Sequence, residues 1–220
     1  MISRTGHYEP IAREGFVFII PPAALSIVSW WLSYPWISLF FLLLAVCVAL
    51  FFRNPERIPP EGEGTVLSPA DGTVVELVDD ARSDNVATYP LRRMSIFMSI
   101  FNTHVNRCPV SGTVVKITHV SGKFLDARES AASVINERNS IVLEDHAQLE
   151  VVQIAGKVAR RIVCWVREGD QVRRGERFGL IRFGSRLDVY LPQNFTFTVG
   201  VGTKVRAGVT IIAKENQANE

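Results

Sequence analysis

The pair Gly184-Ser185 is the part of this sequence that most directly suggests chemistry. It interrupts a strand-like pattern of apolar residues that runs through residues 178–191. Glycine adopts backbone conformations closed to other residues, and the Ser185 hydroxyl lies one peptide bond from the Gly184 carbonyl. Arg182 and Arg186 stand close on either side. We therefore predict that this pair makes the active group and that the rest of the chain positions it.

His104 is the histidine whose surroundings best suit catalysis. It follows the apolar run 95–101 and lies beside Asn106 and Arg107. A strand end that presents a histidine next to amide and guanidinium groups is a plausible site, although a merely hydrogen-bonded histidine fits the same pattern. His119, which follows another strand-like run, is open to either interpretation.

Asp71 is a weaker candidate, because it lies in a Pro-Ala-Asp-Gly turn where aspartate is common for reasons of turn geometry. Other classes of chemistry lack their motifs. The sequence has no G-x-S-x-G elbow, no metal-ligand spacing and no dinucleotide or Walker loop. Its three cysteines are scattered, which favours free thiols in a reducing compartment. The net charge of +2 gives no argument for nucleic acid binding.

Two turn motifs, each present twice in the sequence, indicate the fold that positions Ser185, His104 and Asp71. Residues 68–77 and 108–117 share Pro-x-x-Gly-Thr-Val-Val, while residues 168–175 and 201–208 share Gly-x-x-Val-x-x-Gly. Each turn leads to an apolar run with strand character. The pattern predicts a mainly β catalytic domain over residues 61–220, resembling the barrel-sandwich hybrid of biotinyl and lipoyl carriers.

Residues 16–52 contain no Asp, Glu, Lys or Arg, and a Ser-Tyr-Pro connector at 33–35 divides them. The second half, residues 36–52, predicts a helix about 25 Å long, against a hydrocarbon core of about 30 Å. In the first half, Pro21-Pro22 predicts a late helix start and so a helix too short to span comfortably. We expect an N-terminal apolar helical hairpin and a proline-rich linker within residues 1–60.

A membrane hairpin or in-plane anchor is the favoured role of this segment. A signal peptide would need a small-residue cleavage site, and a buried soluble hairpin is the other alternative. Tryptophan and tyrosine cluster at the connector, as interfacial aromatics do. Arg13 and Arg53 bracket the apolar run, so the positive-inside bias predicts that both ends face the cytoplasm. The catalytic domain would then lie on the cytoplasmic face of the cell membrane.

Five segments together resemble the phosphatidylserine decarboxylases of the short bacterial type, over nearly the whole chain. In chain order they are residues 51–57 (Phe-Phe-Arg-Asn-Pro-Glu-Arg), 68–72 (Ser-Pro-Ala-Asp-Gly), 101–107 (Phe-Asn-Thr-His-Val-Asn-Arg), 136–139 (Asn-Glu-Arg-Asn) and 183–185 (Phe-Gly-Ser). Each segment alone is a weak signal, whereas all five in this order are specific.

The resemblance implies a zymogen that cuts itself between Gly184 and Ser185. Ser185 Oγ would attack the Gly184 carbonyl to give an ester, and β-elimination with loss of ammonia would leave a pyruvoyl group. A serine hydroxyl needs a base to take its proton, and the family's Asp–His pair matches Asp71 and His104. The products would be a large chain of residues 1–184 and a small chain of residues 185–220.

The family's activity, as the resemblance implies it, is that of a carboxy-lyase in phospholipid biosynthesis. The pyruvoyl carbonyl would form a Schiff base with phosphatidylserine and accept the electrons released as CO2 leaves, with no metal and no pyridoxal phosphate. Protonation would give phosphatidylethanolamine. We expect Arg107, Arg182 or Arg186 to hold the substrate's carboxylate or phosphate. The expected partners are the lipid and the bilayer, not nucleic acid, and a homo-oligomer is possible.

This chain departs from longer family members at Arg186, where they carry a small residue after the Gly-Ser pair, and, more importantly, in the segment around His104. Those members carry H-x-x-H in this segment, whereas here His104 is followed by Arg107. Either His104 serves both self-cleavage and decarboxylation, or His119 or another group supplies one role. Two other functions stay open: an archaetidylserine decarboxylase, and a membrane-tethered biotinyl or lipoyl-like carrier or adaptor. A carrier would need a lysine at a hairpin tip, usually beside methionine, and no lysine here has that neighbour.

Overall fold

The computed structural model describes residues 7–86, 90–126, 129, 132–157, 161–182 and 184–216. The described residues form two compact units, His7–Glu56 and the residues from Arg57 onward. This division falls a few residues before the boundary predicted near residue 60, which stays a prediction.

The first unit is a pair of apolar helices. A 3-10 turn at Arg13–Gly15 leads into α1 (Phe16–Trp31), and α2 (Pro35–Phe51) follows after a short connector. Small polar side chains lie between the two helices. The buried Ser26 hydroxyl, on α1, donates to the carbonyl of Ser38, on α2, at 2.9 Å. Small residues at a crossing allow close approach of two helices, while most of the large apolar side chains point outward.

The expectation that the first helix begins at Pro21-Pro22 is wrong, since both prolines lie inside α1. Proline removes a backbone donor, but its fixed φ is compatible with a helix, and such prolines are tolerated in apolar helices. As a result Arg13–Trp31 is the one stretch of the described residues that is long and apolar enough to cross a membrane, and Pro35–Phe51 is shorter. The sequence predicted that the second apolar segment would be the longer one, whereas in the structure the first helical segment, Arg13–Trp31 with its 3-10 turn, is longer.

The second unit confirms the predicted mainly β class. It holds one short helix, α3 (Ala132–Ile135), among its described residues. Its strands are β1 (Thr65–Leu67), β2 (Gly72–Ala81), β3 (Leu91–Met98), β4 (Val105–Arg107), β5 (Gly112–Val120), β6 (Arg138–Glu144), β7 (Gln148–Ala155), β8 (Ile162–Cys164), β9 (Gln171–Val172), β10 (Arg177–Ile181), β11 (Ser185–Pro192), β12 (Phe195–Phe197), β13 (Lys204–Val205) and β14 (Ile211–Glu215).

The repeated turns lie at the two edges of the largest sheet. Its strand order is β13-β2-β3-β11-β7-β6-β5-β9, with two three-stranded sheets, β1-β14-β12 and β4-β10-β8, beside it. At one edge Val74 N–H donates to the Thr203 carbonyl, and at the other Val114 N–H donates to the Asp170 carbonyl, both at 2.9 Å. The two sequence repeats therefore pair in the same way on both edges, and they leave β11 and β7 at the centre.

Strand β11 divides its side chains between two different environments, as a strand period of two requires. Leu187, Val189 and Leu191 join the main apolar core. Arg186 and Asp188, on the opposite face, are also buried but form ion pairs. Because Ser185 alternates with Arg186, its side chain lies on the core face of the sheet.

Candidate active site

Ser185 is the first residue of the central strand β11. It pairs with Met98 on one side and with Ala155 on the other, and each of these is the last residue of its strand. Ser185 is fully buried. The sheet thus holds the predicted nucleophile at one strand end, where water has little access.

A chain of buried polar side chains runs from Ser185 across the core face of the sheet. The Ser185 hydroxyl donates to the Met98 sulfur at 3.5 Å, and the Asn106 amide approaches the same sulfur at 3.8 Å. Gln153 Nε2 donates to Asn106 Oδ1 at 2.9 Å, and Asn139 Nδ2 donates to Gln153 Oε1 at 3.1 Å. Buried amides with their hydrogen bonds satisfied rigidify a core.

Gly184 adopts a backbone conformation that other residues rarely take, with φ +64°. A Cβ atom built there meets nothing within 4 Å, so the requirement for glycine comes from the backbone and not from crowding. This turn places the Gly184 carbonyl, the predicted point of attack, just outside the start of β11. Phe183 lies outside the described residues.

His104 is held by the turn that follows β3. Its Nδ1 lies 3.0 Å from the Asn102 carbonyl oxygen. A carbonyl only accepts hydrogen bonds, so Nδ1 carries the proton, and Nε2 of the neutral ring is then the basic nitrogen. The turn is itself braced, because Ser99 N–H and Oγ both donate to Asn102 Oδ1 at 2.8 Å. His104 is buried, and its carbonyl accepts from Ile181 N–H at 3.4 Å.

Asp71 is bound by Arg57 in a bidentate pair. The guanidinium donates to its two oxygens at 2.5 and 2.8 Å, and Ala207 N–H donates at 2.8 Å. Burial of Asp71 raises its pKa, but the Arg57 pair, the Ala207 amide and a hydrogen bond from Thr103 outweigh it and bring the pKa below its ordinary value. Asp71 is therefore an anion at neutral pH.

The predicted partnership of Asp71 with His104 stays a prediction. Asp71 reaches that segment through the Thr103 side chain, which belongs to the residue before His104. Arg57 is the main partner of the carboxylate, a role that the sequence alone did not predict. Its only sequence signal is its position in the family segment 51–57.

The contacts of Arg107 and Arg182 do not show a role in holding substrate. Arg107 is buried, and its Nη1 donates to the Gly175 carbonyl at 2.9 Å. Its stem passes so close to Gly208 that a Cβ there would lie 2.8 Å from Arg107 Cδ. Arg182 is half-buried, and its backbone N–H donates to the Arg161 carbonyl at 3.3 Å. Substrate binding by either stays a prediction.

The expectation for Arg186 needs correction. Arg186 lies on the sheet face opposite Ser185 and is 1% exposed. It donates to Asp188 at 2.7 Å, Glu76 at 2.8 Å and Ser95 at 2.5 Å. A guanidinium already bound by two carboxylates on the far side of the sheet is not placed to hold an anionic lipid headgroup.

Sequence reasoning missed Met98, Asn106 and Gln153. The available signal was a polar residue inside an apolar strand, since Gln153 interrupts the run of β7 and a buried amide needs partners. Asn139 lies in the family segment 136–139, which by itself predicts no contact with Gln153. Gly179 also has a role, because a Cβ there would meet the Val163 carbonyl at 2.2 Å and Gln153 Nε2 at 3.1 Å.

Comparisons with known proteins give the family of this chain. The family described as Phosphatidylserine decarboxylase matches residues 44–213. The chain is similar to the phosphatidylserine decarboxylase proenzyme of Geotalea uraniireducens, at 48% identity over 205 residues, covering 92% of this chain and 95% of that protein. The proenzyme of Syntrophus aciditrophicus is likewise 48% identical over 205 residues, covering 92% of this chain and 96% of that one.

A third relative, the phosphatidylserine decarboxylase proenzyme of Geobacter sulfurreducens, is 48% identical over 210 residues, with 92% of this chain and 95% of that protein covered. Identity at this level, along nearly the full length of both chains, places this chain in a class of decarboxylases whose named members are proenzymes. The chain belongs to the phosphatidylserine decarboxylase family.

Proposed function

We propose that this protein converts phosphatidylserine to phosphatidylethanolamine and CO2, with a pyruvoyl group made from its own Ser185. The observation that carries the proposal is the placement of Ser185. It is a buried hydroxyl at the first position of a central strand, directly after a glycine in a left-handed conformation. The proenzymes similar to this chain bear the same activity in their names.

Self-cleavage begins when Ser185 Oγ attacks the Gly184 carbonyl carbon. The C–O bond forms, the Gly184–Ser185 C–N bond breaks, and the hydroxyl proton ends on the freed Ser185 nitrogen, which gives an ester. Removal of the Ser185 α-proton then expels the Gly184 carboxylate and leaves a dehydroalanine. Tautomerisation and hydrolysis by one water release ammonia and produce the pyruvoyl end of the small chain, residues 185–220.

His104 is the proposed proton acceptor in this sequence. Its Nδ1–H is held by the Asn102 carbonyl, so Nε2 is the atom that takes a proton. Asp71 is the fixed negative charge linked to the same segment through Thr103. Arg57 keeps that carboxylate ionised and immobile. The buried Asn106 and Gln153 hold the sulfur of Met98 against the nucleophile.

When formed, a pyruvoyl group supplies an electron sink for decarboxylation, as pyridoxal phosphate does in other enzymes. The residues found here fit such a group, because position 185 is enclosed by Met98 and Ala155 and shielded from water. Arg107 and Arg182 are the proposed holders of the substrate's acidic groups. His104 is the proposed donor of the proton that replaces the lost carboxylate.

The apolar helix pair is the proposed membrane anchor, with the β domain on the cytoplasmic face. The helix length and composition support membrane association, and Arg13 and Arg53 at its two ends support the orientation. The large chain of residues 1–184 would carry the anchor and His104, and the small chain would carry the pyruvoyl end.

The test is an intact mass measurement on the purified protein, with an assay of CO2 release from phosphatidylserine. We expect two chains, the smaller one beginning with a pyruvoyl-blocked former Ser185. Ser185→Ala should stay uncut and inactive, whereas Ser95→Ala, at a buried serine on the neighbouring strand, should still cleave. A single full-length chain in an active preparation would overturn the mechanism. Archaetidylserine, assayed in parallel, tests the alternative substrate.

A further inference from the structure

Large apolar side chains are exposed at only a few places in the described part of the β unit. They are Ile58, Ile100, Phe101, Val134, Ile135 and Val201. Four of the six belong to two short segments, the turn after β3 and the helix α3. Contiguous exposed apolar groups of this kind commonly mark an interaction site.

Both segments leave the sheet at the end where Ser185 lies. Ile100 and Phe101 follow Met98, the residue paired with Ser185. Val134 and Ile135 precede Asn136, whose amide donates at 2.8 Å to the carbonyl of Ala155, the other residue paired with Ser185. Because strand pairing and the Asn136 hydrogen bond fix these neighbours, the exposed side chains and the nucleophile share one end of the sheet.

The turn after β3 is rigid enough to present its side chains in one position. Asn102 N–H donates to the Ser99 carbonyl at 3.0 Å, and the Asn102 side chain accepts from Ser99 at 2.8 Å. Phe101 is 81% exposed and Ile100 is 54% exposed on this braced turn. The Asn102 carbonyl also binds His104 Nδ1. The position of this turn relative to a lipid surface would therefore determine how far His104 lies from that surface.

Basic residues adjoin α3, and two more lie next to the strand end that contacts His104. The exposed Lys123 donates its backbone N–H to the Ile135 carbonyl at 2.9 Å, and Arg138 Nη1 donates to the Val134 carbonyl at 2.7 Å. Arg161 and Arg182 are joined by a backbone hydrogen bond beside the strand end that holds His104. Apolar tips with neighbouring cations suit an anionic lipid surface.

We infer that Ile100, Phe101, Val134 and Ile135 form a docking surface that inserts into an anionic lipid bilayer and brings the Ser185 end of the sheet to the headgroups. The inference rests on the proposed function for its purpose, since a substrate with two acyl chains must keep them in the bilayer while its headgroup reaches the site. These four residues belong to the β unit, whereas the apolar helices belong to the other unit of the chain.

The first experiment places a photo-crosslinking benzoylphenylalanine at position 101 or at position 201 of the full chain. Val201 is a matched control, because it is a 62% exposed apolar residue on a turn outside the two segments. With vesicles of equal parts phosphatidylcholine and phosphatidylglycerol, we expect lipid adducts at 101 and few at 201. Equal yields at both positions would overturn the docking surface. This readout needs no catalytic activity.

The second experiment compares activity on bilayer phosphatidylserine with activity on a short-chain, monomeric phosphatidylserine. We expect Phe101→Ser to lower the ratio of vesicle to monomer activity by at least about tenfold, because the burial of one inserted phenylalanine side chain is lost. Val201→Ser should leave that ratio unchanged. A Phe101→Ser ratio equal to that of the unmodified protein would overturn the inference, whereas inactivity of the unmodified protein on both substrates would overturn the proposed function instead.

Discussion

The hydroxyl of Ser185 donates its hydrogen bond to the sulfur of Met98, over 3.5 Å, across the last rung of two antiparallel strands. A thioether is a weak acceptor and takes up no proton. The contact therefore orients the proposed nucleophile without deprotonating it. Activation must come from another group, for which His104 is the candidate.

Met98→Leu should slow self-cleavage while the fold is kept. Leucine and methionine have similar volumes, so the packing loss is typically below about 1.5 kcal/mol, but the acceptor for the Ser185 hydroxyl is lost. A lost weak hydrogen bond of about 0.5–1.5 kcal/mol corresponds to roughly a two- to tenfold slower rate. Newly synthesised chains, followed by intact mass over time, measure this. Met94→Leu, at a buried methionine of the same strand, is the control and should cleave at the normal rate.

Gln153→Leu should both destabilise the domain and slow cleavage. The change leaves Asn106 Oδ1 and Asn139 Nδ2 without the partners that Gln153 supplies, and an unsatisfied buried group typically costs about 1–3 kcal/mol. Denaturant unfolding gives the stability change, and a cleavage time course gives the rate. Gln148→Leu, in the same strand but bonded to the exposed Glu144, should change neither. If the Gln153→Leu protein is destabilised but cleaves at the normal rate, the hydrogen-bonded side chains of Asn106, Gln153 and Asn139 have only a structural role.

Substitutions at Gly184 should be ranked by their tolerance of positive φ. Gly184→Asn should process faster than Gly184→Val, because asparagine enters the left-handed region far more readily than a β-branched residue. The space around a new Cβ is open, so size alone should not reverse this order. Gel analysis of precursor decay in the two variants measures it. Equal rates would show that cleavage does not need the conformation seen at this turn.

Asp71 should make the domain more stable at neutral than at acidic pH. Its pKa in the fold lies below its ordinary value, so the stabilisation is present above the unfolded pKa of about 3.9 and is lost as pH falls through the folded value. In a Ser185→Ala background, which keeps one chain, Asp71→Asn should lower the free energy of unfolding at pH 7. The difference should shrink as the pH is lowered below about 4. Asp79→Asn, at an exposed carboxylate on strand β2, which begins directly after Asp71, should have little effect at pH 7.

Arg186→Met should destabilise the fold by about 3–5 kcal/mol, since it leaves a buried carboxylate without its main partner. The double variant Arg186→Gln with Asp188→Asn should recover part of that loss because no unpaired charge remains between the two positions. Urea unfolding in the Ser185→Ala background tests both. In cleavage-competent protein, the double variant should keep the KM for phosphatidylserine, and a large rise in KM would restore Arg186 as a headgroup ligand.

Much of this protein is readable in its residue order. The uncharged apolar stretch of residues 16–52 predicts the helix pair, because an uninterrupted apolar run of this length is typical of membrane-compatible helices. The two sets of repeated turns predict a mainly β unit, because turn residues act locally through their own φ preferences. Gly184-Ser185 stands out for the same reason, as a local break in a regular pattern. The family's segments were recognisable in order, and the comparisons confirmed the family.

The sequence did not predict which distant segments contact each other. Sequence reasoning placed Arg186 beside Ser185 because the two are adjacent, but alternate residues of a strand face opposite sides. The pairing of Asp71 with His104 came from the family's motif and stays a prediction, while the contact of Arg57 with Asp71 appears only in the fold. The Met98 sulfur reaches Ser185 only because β3 runs antiparallel to β11 in one register. Strand register depends on the packing of the whole sheet, and a linear pattern does not contain that information.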